Sequence, residues 1–307
     1  MMQMKNFTEI LSLRDHLNHI RPCKIALVPT MGNLHDGHLA LCQYAKAHAD
    51  HVVVSIFVNP SQFLPGEDLE SYPRTLEQDK AKLSALAVDS VFHPSAAEIY
   101  PNGLSDHTSV NVPHITADLC GASRPGHFDG VTMVVMKLFN IVQPDIAVFG
   151  QKDYQQLAVI RKMVNDLNLP IEIHGQAIVR ADDGLALSSR NHYLSAEERQ
   201  IAPRLNQVLI EIENWLHGQW QSANSHLSEL TRLGCERLHQ HGFRPEYLEI
   251  RHANLSKCPE LFQDLPNQST SKPVELVILA AARLGQTRLI DNRLVSLNTA
   301  EGTFKLA

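Results

Sequence analysis

Four stretches of the chain are apolar with little interruption: KIALVPT (24–30), HVVVSIFVN (51–59), DSVFHP (89–94) and DIAVFG (145–150). Each is β-branched or continuously hydrophobic, and each runs into Pro, Gly or Asn, the punctuation of a strand end. Between them the spacing of apolar positions becomes helical, over 38–48, over 75–87 with Leu76, Leu83 and Leu86 on one side, and over 131–142. Strands apolar on both faces that alternate with helices predict an α/β fold, a Rossmann-like parallel sheet with helices on both faces. In such sheets the ligand crevice lies beyond the carboxyl ends of the strands. Chemistry is therefore expected in the polar segments that follow them: 29–38, 59–62 and 150–156.

After about residue 180 the pattern changes. Two long helical stretches, 195–216 and 221–241, precede strands near 246–251, 274–283 and 287–290, which predicts a smaller C-terminal α+β domain. The expected division is a Rossmann-like domain over 1–179 and a smaller α+β domain over 180–307. PNQSTSKP (266–273) is polar and rich in breakers, the composition of an exposed loop. At the N-terminus, Phe7, Ile10, Leu11, Leu17 and Ile20 space out an amphipathic helix rather than the unbroken apolar block of a signal peptide. The longest apolar run, Leu276 to Ala282, is too short to span a bilayer.

Composition narrows the class. The 307 residues are 44% hydrophobic and 20% charged, ordinary for a globular protein. A formal charge of -6 and the lack of any Lys/Arg run argue against a nucleic-acid partner. Five cysteines, odd in number and without a CxxC pair, indicate neither a disulfide framework nor a zinc ribbon and suit a reducing cytoplasm.

The segment PTMGNLHDGHLAL (29–41) leaves a strand and enters a helix through Gly32, Asn33, Leu34 and Asp36, with His35 and His38 three positions apart around Gly37. On a helix the two rings face one side, and at its start they join unpaired backbone N–H groups and the positive dipole end, a set suited to an anion. Among 17 histidines such a pair also arises by chance; a zinc site would need a third ligand that has no obvious spacing. FGQKDYQQL (149–157) places Lys152 as a point charge for phosphate and Gln156 one turn later, although Asp153 reads equally as a helix cap. In DGLALSSRN (183–191), Ser188, Ser189 and Arg190 offer two hydroxyls and a guanidinium to triphosphate oxygens, or simply a turn and a cap.

FVNPSQF (57–63) carries Asn59 and Gln62, amides able to meet a hydroxylated carboxylic acid without adding charge. The proline- and glycine-broken stretch after it has the length of a lid or binding loop, with EDLE (67–70) as its solvated face. Asp79, near the start of the next helix, is either a cap or a Mg²⁺ ligand. GASRPGHFDGV (121–131) is a further glycine-rich connection from which Arg124 and His127 are expected to point into the crevice.

Taken in order, PTMGNLHDGHLAL, VSIFVNPSQF, YPRT, RPGHFDGV, FGQKDYQQL and DGLALSSRN closely resemble the pantothenate synthetase family of the nucleotidylyl-transferase superfamily. The likeness covers about residues 22–200 and continues more loosely through YLEI (247–250) and ARLGQTRLIDN (282–292). His35 to His38 match the superfamily's HxGH signature, and Leu187 to Arg190 its second signature loop. The resemblance implies an ATP-dependent ligation of pantoate with β-alanine through pantoyl adenylate, releasing AMP and pyrophosphate, with Mg²⁺ and in a homodimer.

Carried over by position, His38 is the designated proton donor and His35 a phosphate contact, with Lys152 and Arg190 completing the catalytic set. Met31, Gly32, Asn33, Leu34, Asp36 and Gly37 line the ATP site with Gly150, Gln151, Asp153, Val179, Leu187, Ser188 and Ser189. Pro29, Met31, Asn59, Gln62, Arg124, His127 and Gln156 serve the acid substrates. Asp79 matches a position associated with Mg²⁺. Three residues depart from the family pattern: Gln151 stands where Glu is expected, Leu187 where Met is usual and Ser61 where Met is common. Rival readings are another nucleotidylyltransferase, an aminoacyl-tRNA synthetase fragment, or a non-catalytic nucleotide-binding regulator.

Overall fold

The computed structural model describes residues 4–219, 227–259 and 273–297. They form two compact units: one reaches Val179 and adds Leu187–Ser189; the other comprises Arg180–Ala186 and the chain from Arg190 onward.

The first unit is a six-stranded, wholly parallel sheet. Its strands are β1 (Lys5–Phe7), β2 (Ile25–Thr30), β3 (His51–Ile56), β4 (Ser90–Phe92), β5 (Ile146–Gly150) and β6 (Glu172–Gln176), in the order β1-β4-β3-β2-β5-β6. The helices are α1 (Ile10–Ile20), α2 (Asp36–His48), α3 (Leu76–Ala85), α4 (Ala96–Ile99), α5 (Cys120–Ser123), α6 (His127–Val142) and α7 (Tyr154–Asp166).

Alternation along β2 shows how the sheet is covered. Ile25 and Leu27 join the core packed by α1, α6 and α7, whereas Ala26 and Val28 join the opposite core packed by α2 and α3. A strand buried on both faces has no polar side to show, hence the unbroken apolar runs in the sequence. The chain winds outward from β2 through β3 to β4, then returns to add β5 on the other side of β2. The switch in winding direction therefore falls between the carboxyl ends of β2 and β5, where α/β sheets open a crevice.

The second unit packs α8 (Ala196–Ile201), α9 (Arg204–Gln219) and α10 (Leu227–Gln240) with an antiparallel sheet, β7 (Arg244–His252), β8 (Val274–Leu284) and β9 (Thr287–Leu297). The β8–β9 turn passes through Gly285 at φ 56°. Among the described residues, no helix is long and apolar enough to cross a membrane.

Several boundaries differ from expectation. Phe7 belongs not to a helix but to β1, which pairs with β4. Leu11, expected on an apolar face, is 72% exposed, so the stripe of α1 rests on buried Leu13 and Leu17. The single helix expected over 195–216 breaks into α8 and α9 at Ala202 and Pro203, because proline lacks the N–H that would continue it. Strand β6 was not predicted: its EIHGQ is half-buried at the sheet edge and too polar for an apolar-run criterion. Residues 221–226 of the second expected helix, and 266–272 of the expected loop, lie outside the described residues.

Candidate functional site

At the carboxyl end of β2 the chain makes a left-handed step, with Gly32 at φ 84° and Asn33 at φ 49°. A buried carboxylate secures this step. Asp79 of α3, 1% exposed, accepts Asn33 N–H at 2.9 Å, Leu34 N–H at 2.7 Å and the Thr75 hydroxyl at 3.1 Å. Thr30 Oγ1 accepts Gly32 N–H at 3.3 Å while donating to Ser55 C=O at 2.8 Å. The loop from Met31 to Leu34 is thus held by the protein's own hydrogen bonds.

His35 is the N-cap of α2 rather than a residue within it. Its Nδ1 accepts Gly37 N–H at 3.1 Å, and Nδ1 of His38 accepts His35 N–H at 3.3 Å, a reciprocal capping box built from imidazoles. The ring centroids lie 4.1 Å apart. Accepting a backbone N–H leaves each Nδ1 unprotonated, so in the neutral ring the proton sits on Nε2. Burial, reinforced by Lys152, lowers the pKa of His35 to about 4; burial, with His35 and Lys152 nearby, holds that of His38 well below the usual imidazole range. Both are neutral Nε2–H donors at physiological pH. Gly37 has a steric reason: a Cβ there would lie 2.8 Å from His35 Cε1.

Other expected nucleotide contacts gather at the same end of the sheet. Gly150 closes β5, and a 3-10 turn over Gln151–Asp153 leads into α7, with the Lys152 ammonium 3.9 Å from the Asp153 carboxylate. Leu187 N–H bonds Val179 C=O at 3.0 Å, and Ser189 Oγ donates to Asn33 C=O at 3.2 Å. A Cβ on Gly37 would lie 3.9 Å from that of Leu187. The two signature segments, far apart in the chain, therefore meet within the first unit. Ser188 lies in this segment; Arg190, the next residue after Ser189, belongs to the second unit.

On the β3 side, Gln62 ends a short 3-10 turn (Pro60–Gln62) seated against α6; a Cβ on Gly130 would come within 2.3 Å of Ser61 C=O. Gln62 and Met31 meet, with Nε2 3.1 Å from Sδ. Pro29 and Gln156 are each half-buried, on β2 and α7. Asn59 is not a wall of the crevice: it is 1% exposed, and both ends of its amide are committed to protein groups.

Arg124 and His127 also differ from the expected crevice contacts. Arg124 donates to both oxygens of Glu67, Nε to Oε1 at 2.7 Å and Nη2 to Oε2 at 2.6 Å. Burial would raise the Glu67 pKa, but this bonding outweighs it and the net shift is downward. His127, the first residue of α6, donates from Nδ1 to Gln62 C=O at 2.8 Å and faces Arg124 Nη1 through Nε2 at 2.9 Å; burial, then the neighbouring guanidinium, lower its pKa to about 4. Glu67 is thus no part of a solvated face but the anchor of the 63–75 loop.

Sequence reasoning also missed Gln155 and Tyr100. Gln155 donates to Ile115 and Asp118 C=O at 2.8 Å and accepts Cys120 N–H at 2.9 Å, pinning the segment before α5. Its place beside Gln156 in QQ was visible, but not which of the two faces inward. Tyr100 carried no signal.

Asp79 does not fit a Mg²⁺ site ready in the protein, since both carboxylate oxygens are bound to backbone N–H groups in a buried position. Among the described residues, no group of three or more His, Cys, Asp or Glu side chains is placed to hold a metal ion.

Comparison with known proteins gives a consistent picture. The profile of the family described as pantoate-beta-alanine ligase matches residues 5–294. A pantothenate synthetase from Azotobacter vinelandii is 54% identical over 274 residues, covering 89% of this chain and 92% of that protein. Another from Psychrobacter arcticus is 55% identical over 290 residues, covering 94% and 96%. The crystal structure of pantothenate synthetase from Thermus thermophilus superposes with a TM-score of 0.82 at 43% identity, over 94% of this chain and 99% of that one. The Francisella tularensis pantoate-beta-alanine ligase, complexed with beta-gamma ATP and beta-alanine, gives 0.75 at 35% identity, over 95% and 97%.

Proposed function

Because the chain belongs to the pantoate–β-alanine ligase family, we propose that the groups collected between β2, β3 and β5 carry that family's reaction in two steps. The enzyme condenses pantoate with β-alanine at the expense of ATP, through pantoyl adenylate, and releases AMP and pyrophosphate. In the first step a pantoate carboxylate oxygen bonds to the α-phosphorus as the bond to the pyrophosphate oxygen breaks. In the second, the β-alanine amine bonds to the acyl carbon, AMP leaves with the electron pair of the broken acyl–oxygen bond, and the amine loses its proton.

A carboxylate nucleophile needs no base to activate it. The difficulty is bringing two anions together, so catalysis rests on alignment and charge stabilisation. The observation that carries this reading is the pair of backbone N–H groups held by Nδ1 of His35 and of His38, which leaves the ring proton of each on Nε2. Two neutral Nε2–H donors at the start of α2 stabilise charge growing on the departing phosphate, and neither needs to be recharged between turnovers. In this reading His38 donates a hydrogen bond rather than a full proton. Lys152 supplies positive charge, and the hydroxyls of Ser188 and Ser189 with the backbone of 31–34 and 150–153 complete the nucleotide contacts. Gln62 and Gln156 meet pantoate, and Pro29 and Met31 supply apolar contact.

Mg²⁺ is expected with ATP, and Asp79, whose two oxygens accept backbone N–H groups, is not among its ligands. A cytoplasmic homodimer stays part of the proposal, to be tested by sedimentation of the purified enzyme. The reaction itself is tested by AMP formation: it should require pantoate and β-alanine together, with pyrophosphate released equimolar to AMP. ADP formation, or turnover without either acid, would overturn the assignment.

A further inference from the structure

The amide of Asn59 is oriented by two backbone groups that cannot exchange roles. Ser61 N–H donates to Oδ1 at 3.4 Å, and Gly130 C=O accepts from Nδ2 at 3.1 Å. Flipping the amide would set donor against donor at one end and acceptor against acceptor at the other. Two hydroxyls reinforce the acceptor end: Tyr100 OH donates to Oδ1 at 2.8 Å and Ser61 Oγ at 2.9 Å. What remains of Asn59 is one Nδ2 hydrogen, and it points at Gln62 Oε1, 3.0 Å away.

The polarity then passes to Gln62. Since Asn59 meets it as a donor, the Gln62 amide must turn its oxygen inward and leave its Nε2 hydrogens for the crevice, where Met31 Sδ, a weak acceptor, lies at 3.1 Å. We propose that Tyr100 and Ser61 are positioning residues: their hydroxyls hold the Asn59 amide in the orientation its backbone partners select, so that Asn59 meets Gln62 only as a donor and fixes Gln62 as a pure donor toward the substrate. The atom it recognises is then an oxygen acceptor, the carboxylate or a hydroxyl of the hydroxy acid. A free glutamine can show either end of its amide to a ligand; this one cannot. Tyr100 is suited to the role because its ring is fixed independently of its hydroxyl, beside Phe57 and His107 and under the Lys137 ammonium at 5.1 Å.

This inference rests on the assignment of Gln62 to pantoate, so the experiment separates the two. KM and kcat for pantoate and for ATP are measured for Tyr100→Phe, Ser61→Ala, Gln62→Ala and the double variant Tyr100→Phe/Gln62→Ala, with thermal midpoints recorded alongside. Tyr100→Phe should raise the pantoate KM about 5–10-fold, the scale of one lost hydrogen bond, and leave the ATP KM unchanged. Ser61→Ala should act in the same direction. In the Gln62→Ala background, Tyr100→Phe should change the pantoate kcat/KM no further, because the group it orients is gone. Independent effects in the double variant, or equal changes for pantoate and ATP, would reduce Tyr100 to a packing residue and overturn the inference while Gln62 keeps its assignment. A Gln62→Ala variant with an unchanged pantoate KM would remove Gln62 from the substrate site and this inference with it.

Discussion

The imidazole of His38 accepts the backbone N–H of His35 at 3.3 Å through Nδ1, so one side chain both caps α2 and fixes its own tautomer. Structural and chemical roles coincide in it, and His38→Ala should show both. Losing the cap should lower stability by about 1 kcal/mol. Losing the Nε2–H donor should slow adenylate formation by roughly 10²–10³, the usual scale for one transition-state donor. Pantoate-dependent pyrophosphate release in a single turnover measures the second effect, and a rate near that of the parent enzyme would take His38 out of the mechanism.

Histidine protonation should set the acid limit of stability rather than a neutral-range step in rate. His35 and His127 have folded pKa values of about 4, below the ~6.5 of a free imidazole. Between these values the unfolded chain takes up protons that the folded chain refuses. Their contribution is therefore complete above about pH 6.5 and is lost as pH falls toward 4, with a slope of up to about 1.4 kcal/mol per pH unit for each ring. Urea midpoints across that range test this. An inflection in the adenylation rate near pH 6.5 that disappears in His38→Ala would contradict the neutral-donor assignment.

Asp79 should behave as a loop anchor. Asp79→Ala strands two backbone N–H groups of the 31–34 loop, which should cost about 3 kcal/mol in urea unfolding and weaken ATP binding. Asp79→Asn should weaken both less and leave the Mg²⁺ requirement where it was. A rise in the Mg²⁺ concentration for half-maximal rate would make this carboxylate a metal ligand instead.

Breaking the bidentate Arg124–Glu67 pair should loosen the 63–75 loop without unfolding the sheet. Glu67→Gln keeps the shape but removes the charge. It should raise the pantoate KM about threefold to tenfold, with little change in that for ATP and greater cleavage within 63–75 by added protease. An unaltered digestion pattern would show that the loop is held by other contacts.

Gln155 and Gln156, adjacent in the chain, should separate cleanly. Gln155→Ala removes three hydrogen bonds to the 115–120 segment and should lower stability by about 2–3 kcal/mol while leaving the pantoate KM within twofold. Gln156→Ala should do the reverse. Exchanged phenotypes would mean that α7 presents its faces to core and crevice in the opposite sense.

Much of the first unit was readable from the chain. The apolar runs behind β2, β3, β4 and β5 mark strands covered on both sides, and the polar segments after them hold the histidine pair, Lys152 and Gln62. The edge strand β6 escaped because half-buried positions do not need apolar side chains. The division at Pro203 escaped because the apolar period continues through it. Glu67 was misread because a loop carboxylate carries no sign of a guanidinium 57 residues away.

What the sequence alone determined is whatever depends on neighbours in the chain: strand burial, helix period, the HxGH spacing, and the family they announce. Only the tertiary structure decided which polar groups are spent and which are offered. Asp79 is committed to Asn33 across 46 residues, and Tyr100 to Asn59 across 41. A hydrogen bond consumes a donor and an acceptor wherever folding brings them together. The chemistry left over at the crevice is therefore a property of the folded chain and cannot be counted along it.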